Sequence, residues 1–297
     1  MNAKFKIIIS MAVFGTIPIF VKNMALPAGE IALYRAVIAS VTILLYKIII
    51  DKGISLPKSK KELYILFLSG AAIGFSWILL FQAYNFTTIS AATLSYYFAP
   101  SIVLIASTIL FREKLTAIQI IYFIMATIGL IFIIGGDSFG LYNVDIKGIL
   151  FGLGAAALYA TVVVLNKFIK TVTGIDKTFI QLVAASFVLI PYVSFTTGIH
   201  INSLNSVGII NLLILGVFHT GITYCLFFSS LRDLSGQEAS ILSYVDPLVA
   251  ILVSVSFFGE TISFIQITGG VMILGFSSMN ELNISPVKLY KKLRIRI

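Results

Sequence analysis

Charge is scarce in this chain, and cysteine and histidine are nearly missing. Only 11% of the 297 residues are charged while 59% are hydrophobic, and the mean hydropathy is +1.04. Such a chain cannot bury its apolar surface in one soluble core and still present a polar exterior to water. The single cysteine, Cys225, excludes a disulfide framework and a cysteine metal centre, and it reads as a small buried hydrophobe. Two histidines, His200 and His219, leave no metal cluster, and no HExxH pattern, nucleophile elbow or Walker A loop occurs. No metal or other cofactor is therefore expected, and ATP does not drive the protein directly. The net charge of +9 is not gathered on one soluble face, so nucleic acid is not an expected partner.

What is present is apolar sequence in lengths that suit a bilayer. A helix needs about 20 largely apolar residues to cross the hydrocarbon. Ten such segments lie at roughly 5–21, 29–50, 62–84, 90–111, 116–135, 147–166, 178–197, 207–230, 237–258 and 262–280. Connections such as Asn85 to Ile89 and Arg112 to Leu115 are short, so the ten spans must form one compact all-α bundle in the lipid bilayer. Lys4 and Lys6 before the first run mimic a signal peptide, but Lys22 and Pro27 follow, and the segment reads as a retained first helix. With the N-terminus in the cytoplasm, Lys58, Lys60, Lys61, Lys114, Lys170, Lys177 and the basic C-terminal residues fall on the cytoplasmic side, leaving only Lys22 and Lys147 outside. Such an asymmetry is the positive-inside pattern of a multi-pass membrane protein with both termini cytoplasmic.

Pro100 and Pro247 are 147 residues apart, and the register around them holds. At that offset Gly74 meets Gly221, Phe81 meets Phe228, Tyr97 meets Tyr244, Glu113 meets Glu260 and Gln119 meets Gln266. The chain is therefore read as a first repeat over 1–137 and a second over 146–282, with 283–297 as a basic cytoplasmic tail. Each repeat holds five spans, an odd number, so the second must insert upside down. In inverted-topology repeats the halves are related by an axis in the membrane plane, and solutes bind near the midplane where they meet.

Several short motifs recur in order. They are Phe14-Gly15-Thr16, Tyr34-Arg35-Ala36, Ala99-Pro100 and Phe111-Arg112-Glu113-Lys114-Leu115-Thr116, then Tyr244-Val245-Asp246-Pro247-Leu248-Val249-Ala250 and Phe258-Gly259-Glu260-Thr261-Ile262-Ser263. In this arrangement the whole chain resembles the EamA family of the drug/metabolite transporter superfamily. The resemblance implies a ten-helix secondary transporter in the cell membrane of a bacterium, working by alternating access. It implies export of small organic metabolites such as amino acids or amines. Uptake or facilitated diffusion of a small cationic or nucleobase-like solute is the alternative. It also implies that the fifth and tenth helices, with Gly129, Gly135, Gly269, Gly270 and Gly275, lie at the periphery, where they could support a homodimer.

Candidate site residues follow from position and chemistry. Pro100 and Pro247 free the carbonyls of Tyr96 and Ser243, which makes them hinges beside a wet cavity or packing kinks. Asp246, near a span centre, must face the bundle interior. It either couples transport to a cation or proton, or braces the helix around Pro247, and the resemblance favours bracing. Arg35, some 10 Å below the outer boundary at 1.5 Å per residue, either snorkels as an anchor, holds an anionic substrate group, or pairs with Asp246. Gly70, Gly74, Trp77, Phe81 and Tyr84 recur on one helical face. With Tyr96, Tyr97, Tyr224, Tyr244, Phe14 and Tyr159 they outline an aromatic cavity for an organic molecule or small cation. His219 is either a helix contact or a ligand-facing group; His200, in an outer loop, carries no expected role. Thr116-x-x-Gln119 and Ser263-x-x-Gln266 are capping boxes, with Glu113 and Glu260 as boundary residues before them. No catalytic residue is expected, although Ser243, His219 and Asp246 could be strung into a triad for a membrane-embedded enzyme.

One prediction follows from the charge pattern alone. In a Cys225→Ser background, Lys58→Cys is expected to react with an impermeant thiol reagent only from the cytoplasmic side and Asn202→Cys only from outside. Labelling of both from one side would end the ten-span reading.

Overall fold

The computed structural model describes residues 2–51, 53–111, 115–135, 145–172, 174–230, 234, 239 and 242–281. The regular secondary structure of the described residues is all helical, without a β-strand. In chain order the helices are α1 (Ala3–Gly15), α2 (Ile17–Lys22), α3 (Ala28–Tyr46), α4 (Lys60–Phe86), α5 (Ile89–Tyr96), α6 (Ala99–Phe111) and α7 (Ala117–Gly135). There follow α8 (Ile146–Asn166), α9 (Gly174–Thr196), α10 (Ser206–Leu213), α11 (Thr223–Ser230), α12 (Val245–Phe258) and α13 (Phe264–Glu281). Among the described residues seven helical stretches are long and apolar enough to cross a membrane, and three shorter apolar ones cover Ala117–Ile133, Val245–Phe258 and Phe264–Met279. Large apolar side chains such as Phe187, Phe195, Ile109 and Phe264 stand exposed on the outer surface, as lipid requires and water does not permit on this scale.

Three prolines stand at the starts of helical segments as their chemistry dictates, while Pro191 lies inside α9. A proline has no N–H and clashes with the preceding turn, so it is tolerated in the first turn of a helix. Pro18 follows the break between α1 and α2, and Pro100 follows the break between α5 and α6. Pro247 stands in the first turn of α12, just after the turn at Tyr244. Near Pro100 the chain closes with short-range bonds, Phe98 N–H donating to the Ser95 carbonyl (3.2 Å) and Ser101 N–H to the Phe98 carbonyl (3.0 Å). Pro100 and Pro247 thus begin new helical segments rather than kink continuous ones. Between α10 and α11 the chain widens into a π-helical stretch, Ile214–Ile222.

The two parts of the chain interlock. α1 packs on α11 and α12, while α8 packs on α4, α5 and α6. α3 packs on α9 and the π-helical stretch, α4 also packs on α9, and α7 pairs with α13. Glycines allow the closest approaches. A Cβ on Gly129 would fall 2.7 Å from the Gly269 carbonyl, and one on Gly269 would fall 2.5 Å from the Gly129 carbonyl. These two glycines join α7 to α13 within one chain.

Both capping boxes are formed. The Thr116 N–H donates to Gln119 Oε1 at 2.9 Å and the Gln119 N–H returns to Thr116 Oγ1 at 3.3 Å. Ser263 and Gln266 do the same at 3.0 and 3.1 Å. Glu260 does more than mark a boundary: its carboxylate accepts from the Ile89 N–H (2.8 Å) and the Ser90 N–H (3.4 Å) at the start of α5. Thr88 Oγ1 takes the next amide, Ala91 N–H, so the first orphan donors of α5 are met. Lys22 Nζ lies 3.8 Å from the same carboxylate, tying the end of α2 to this cap. Glu113 lies outside the described residues. His200, expected to be incidental, holds Glu30: its backbone N–H and Nδ1 each lie 2.7 Å from that fully buried carboxylate.

Glu260→Ala, which strips two helix-start amides of their acceptor, is expected to cost about 1–2 kcal/mol of stability. Thermal unfolding in detergent measures it, and an unchanged midpoint would mean that water or another group serves α5 equally well.

Candidate functional site

The sequence places aromatics on one face of α4, and the fold turns that face inward. Ile73, Trp77, Leu80, Phe81 and Tyr84 line a cavity of about 670 Å³, within the usual range for small-molecule sites. The opposite walls carry Phe14 from α1, Tyr96 and Tyr97 from the end of α5, Tyr159 from α8, Tyr224 from α11, and Tyr244 and Asp246 at the start of α12. Pro100 and Arg35 also reach this space. The rings are in mutual contact: Tyr96 with Tyr97 at 5.8 Å, Tyr96 with Tyr159 at 5.6 Å, Tyr97 with Tyr244 at 6.2 Å and Phe14 with Tyr224 at 5.2 Å between centroids. These are the edge and tilted arrangements that ring quadrupoles favour. Tyr97 and Tyr244, repeat mates in the sequence, thus meet across the cavity.

Two charged side chains stand in this aromatic wall. Arg35 is buried, 3% exposed, so it does not snorkel to an outer boundary. Its guanidinium lies 4.0 Å from the centroid of Trp77 and 5.7 Å from that of Phe81, and its Nε donates to Thr220 Oγ1 at 2.7 Å. Thr220 is available there because the π-helical register lets its hydroxyl donate to the Leu215 carbonyl five residues back at 2.9 Å. π-Helical turns of this kind often occur at functional sites. Asp246 Oδ2 accepts from the Tyr97 hydroxyl at 2.6 Å. Arg35 and Asp246 therefore do not form an ion pair here; each is held by a neutral hydroxyl, and each keeps hydrogen-bonding capacity towards the cavity.

Phe14-Gly15-Thr16 divides its work among three neighbours. Phe14 faces the cavity against Tyr224. A Cβ on Gly15 would fall 2.6 Å from both the Asp246 carbonyl and Val249 Cβ, so only glycine lets α1 approach the start of α12 this closely. Thr16 Oγ1 meets His219 Nε2 at 2.9 Å, and Phe20 packs on the His219 ring at 4.5 Å. His219, named above as a possible substrate contact, is not part of the cavity wall; its imidazole bridges α1, α2 and the π-helical stretch. Pro247 is likewise behind the wall, buried at the start of α12.

The triad outlined for an enzyme is not assembled. The Ser243 hydroxyl donates to the Ala239 carbonyl at 2.8 Å, His219 is held by Thr16, and Asp246 by Tyr97. Among the described residues no cluster of three metal-binding side chains occurs.

Sequence reasoning missed Thr220 and a buried polar group at the far end of the cavity, where Gln181 Nε2 donates to Ser69 Oγ (2.6 Å) and to Asn166 Oδ1 (2.9 Å). The available signal was polar side chains recurring inside apolar helices, which in lipid must point inward.

The profile of the EamA-like transporter family matches residues 2–135 and again residues 146–279. An uncharacterized transporter of Bacillus subtilis (strain 168), YxxF, is 31% identical over 273 residues, covering 92% of this chain and 87% of its own. Solute carrier family 35 member G1 of Mus musculus is 30% identical over 179 residues, 57% of this chain and 48% of that one. A crystal structure 15% identical in sequence covers 95% of this chain and 99% of its own with a TM-score of 0.64, a likeness of fold alone.

Trp77 is the sole tryptophan, so its fluorescence reports on Arg35 directly. Arg35→Ala is expected to admit water to the indole face and move the emission to longer wavelength. An unchanged spectrum would mean that the guanidinium does not cover the ring.

Proposed function

This chain belongs to the EamA-like transporter family, and from that membership we propose that it is a secondary carrier moving small organic solutes across the cell membrane by alternating access. The observation that carries this reading is one cavity bounded by helices of both matched segments, walled by tyrosines, with Arg35 and Asp246 inside it. The solute class is an amino acid, an amine or a similarly small metabolite: a carboxylate suits the guanidinium over Trp77, and an ammonium suits Asp246 and the ring faces. The direction is export. Uptake, or facilitated diffusion of a cationic solute, uses the same groups and differs only in coupling.

Ten spans in two inverted repeats make alternating access possible. The reciprocal packing supports this arrangement: α1 leans on α11 and α12 as α8 leans on α4, α5 and α6, the pattern that an in-plane two-fold axis generates. In this topology Lys22, Glu260 and the start of α5 lie on the outer face, and their linkage closes that side. The cavity reaches Asn166 at the end of α8 and Thr178 near the start of α9, next to Lys167, Lys170 and Lys177. Basic residues mark the cytoplasmic face, so this conformer is the one turned towards the cytoplasm. Opening outward requires the Glu260 cap on α5 to part while α6 and α12 pivot at the breaks before Pro100 and Pro247.

Asp246 offers the decisive test. Asp246→Asn keeps the shape and the Tyr97 hydrogen bond but removes the charge. If the carboxylate carries the coupling proton, proteoliposomes with this variant should lose gradient-driven accumulation yet retain solute exchange. If it braces α12, both modes survive; if it binds a cationic solute, exchange fails as well. Saturable counterflow by the wild type is the shared requirement, and its absence for every amino acid and amine offered would sink the carrier reading.

A further inference from the structure

Away from Arg35 and Asp246, the cavity is lined by a second polar group, Asn166 and Gln181. Gln181 is 3% exposed and Ser69 fully buried, and both Gln181 amide protons are spent, one on Ser69 Oγ at 2.6 Å and one on Asn166 Oδ1 at 2.9 Å. These two bonds lock both carboxamides. Gln181 Oε1 and the Asn166 amide N–H₂ have no partner among the described residues, and both side chains line the cavity. Both atoms open onto the cavity rather than into packed protein, so an entering solute can take the place of water on them. Beside them Thr178 also faces the cavity, its hydroxyl proton turned to the Gly174 carbonyl at 3.2 Å, which leaves oxygen lone pairs as acceptors.

We propose that Asn166 and Gln181 form an uncharged subsite that recognises a carboxamide, lactam or similar paired donor and acceptor on the solute. The Asn166 N–H₂ donates to the solute carbonyl, and Gln181 Oε1 accepts from the solute N–H. Helix α4 gives the spacing. Ser69, which anchors Gln181, precedes Trp77, which carries Arg35, by eight residues on the same helix, about 12 Å at 1.5 Å per residue. The favoured solute is therefore elongated: an anionic group over Trp77 at one end, an apolar middle against the aromatic wall, and an amide at the other end. A neutral amide suits this position better than a charge, because neither Asn166 nor Gln181 can neutralise one in the apolar bundle.

The proposal rests on the carrier reading of the cavity, but its test is equilibrium binding. Titration calorimetry on the purified full-length protein in detergent would use the monoamides of straight-chain dicarboxylic acids, from succinamate to sebacamate, against the monomethyl esters of the same lengths. The ester keeps the carbonyl and loses the N–H donor. The wild type is expected to prefer the amide by about tenfold, one hydrogen bond's worth, most strongly at the lengths that reach both ends. Gln181→Leu removes both the acceptor for the solute N–H and the anchor of Asn166, so amide and ester should then bind equally. Asn166→Asp should reverse it, favouring the matching ω-ammonium carboxylate over the amide, a gain that misfolding cannot imitate. Equal binding of amide and ester by the wild type, no binding at any length, or a preference that both variants retain would overturn the subsite. Loss of flux with the amide preference intact would count against the carrier reading alone.

Discussion

Inside hydrocarbon no water is available for an orphaned amide or carbonyl, so a helix can break only where the broken backbone is covered by protein or faces a cavity. The architecture follows from this constraint. The chain breaks at Thr16, at Tyr97 and Phe98, and near Tyr244, and residues beside each break line the cavity: Phe14 and Pro18, Tyr97 and Pro100, Tyr244 and Asp246. α7 and α13, which contact chiefly each other, are unbroken. The breaks and the cavity thus require one another. Glu260 meets a related need: the start of α5 is covered by protein, with Ile89 fully buried, so its first amides are met by a side chain in place of water.

The second constraint is the expense of charge in this environment, several kcal/mol for an unpaired ion near the bilayer centre. Arg35 and Asp246 do not solve it by pairing. Arg35 rests on an indole face and a threonine hydroxyl, and Asp246 on a tyrosine hydroxyl. Neutral support leaves both charges available to a third party, which a mutual ion pair would not. A buried ion pair that does form among the described residues, Lys47 with Asp176 at 2.8 Å, joins the stretch after α3 to the start of α9, and neither residue lines the cavity. Lys47 and Asp176 are thus paired with each other, while the two charges in the cavity are held by neutral partners.

How much of this was legible in the sequence depends on the range of the interaction. The inward face of α4 could be read from Gly70 to Tyr84, because helical period is local. The duplication could be read from Pro100 and Pro247, because paired landmarks stand in the linear chain itself. Both capping boxes were visible, being contacts three residues apart. The partner of Glu260 was not, since Ile89 is 171 residues away; nor was that of Glu30, since His200 is 170 residues away.

The sequence by itself determined a helical membrane protein with a duplicated pattern and an aromatic interior, because burial in lipid is dictated by composition and by period. Only the tertiary structure decided which polar residues meet. It turned Arg35 onto Trp77 instead of the surface, gave Asp246 to Tyr97 instead of Arg35, drew His219 behind the wall, and assembled Asn166 with Gln181 and Ser69. Hydrogen bonds act over about 3 Å, whereas these partners lie up to 203 residues apart in the chain, so their choice rests on how the helices pack.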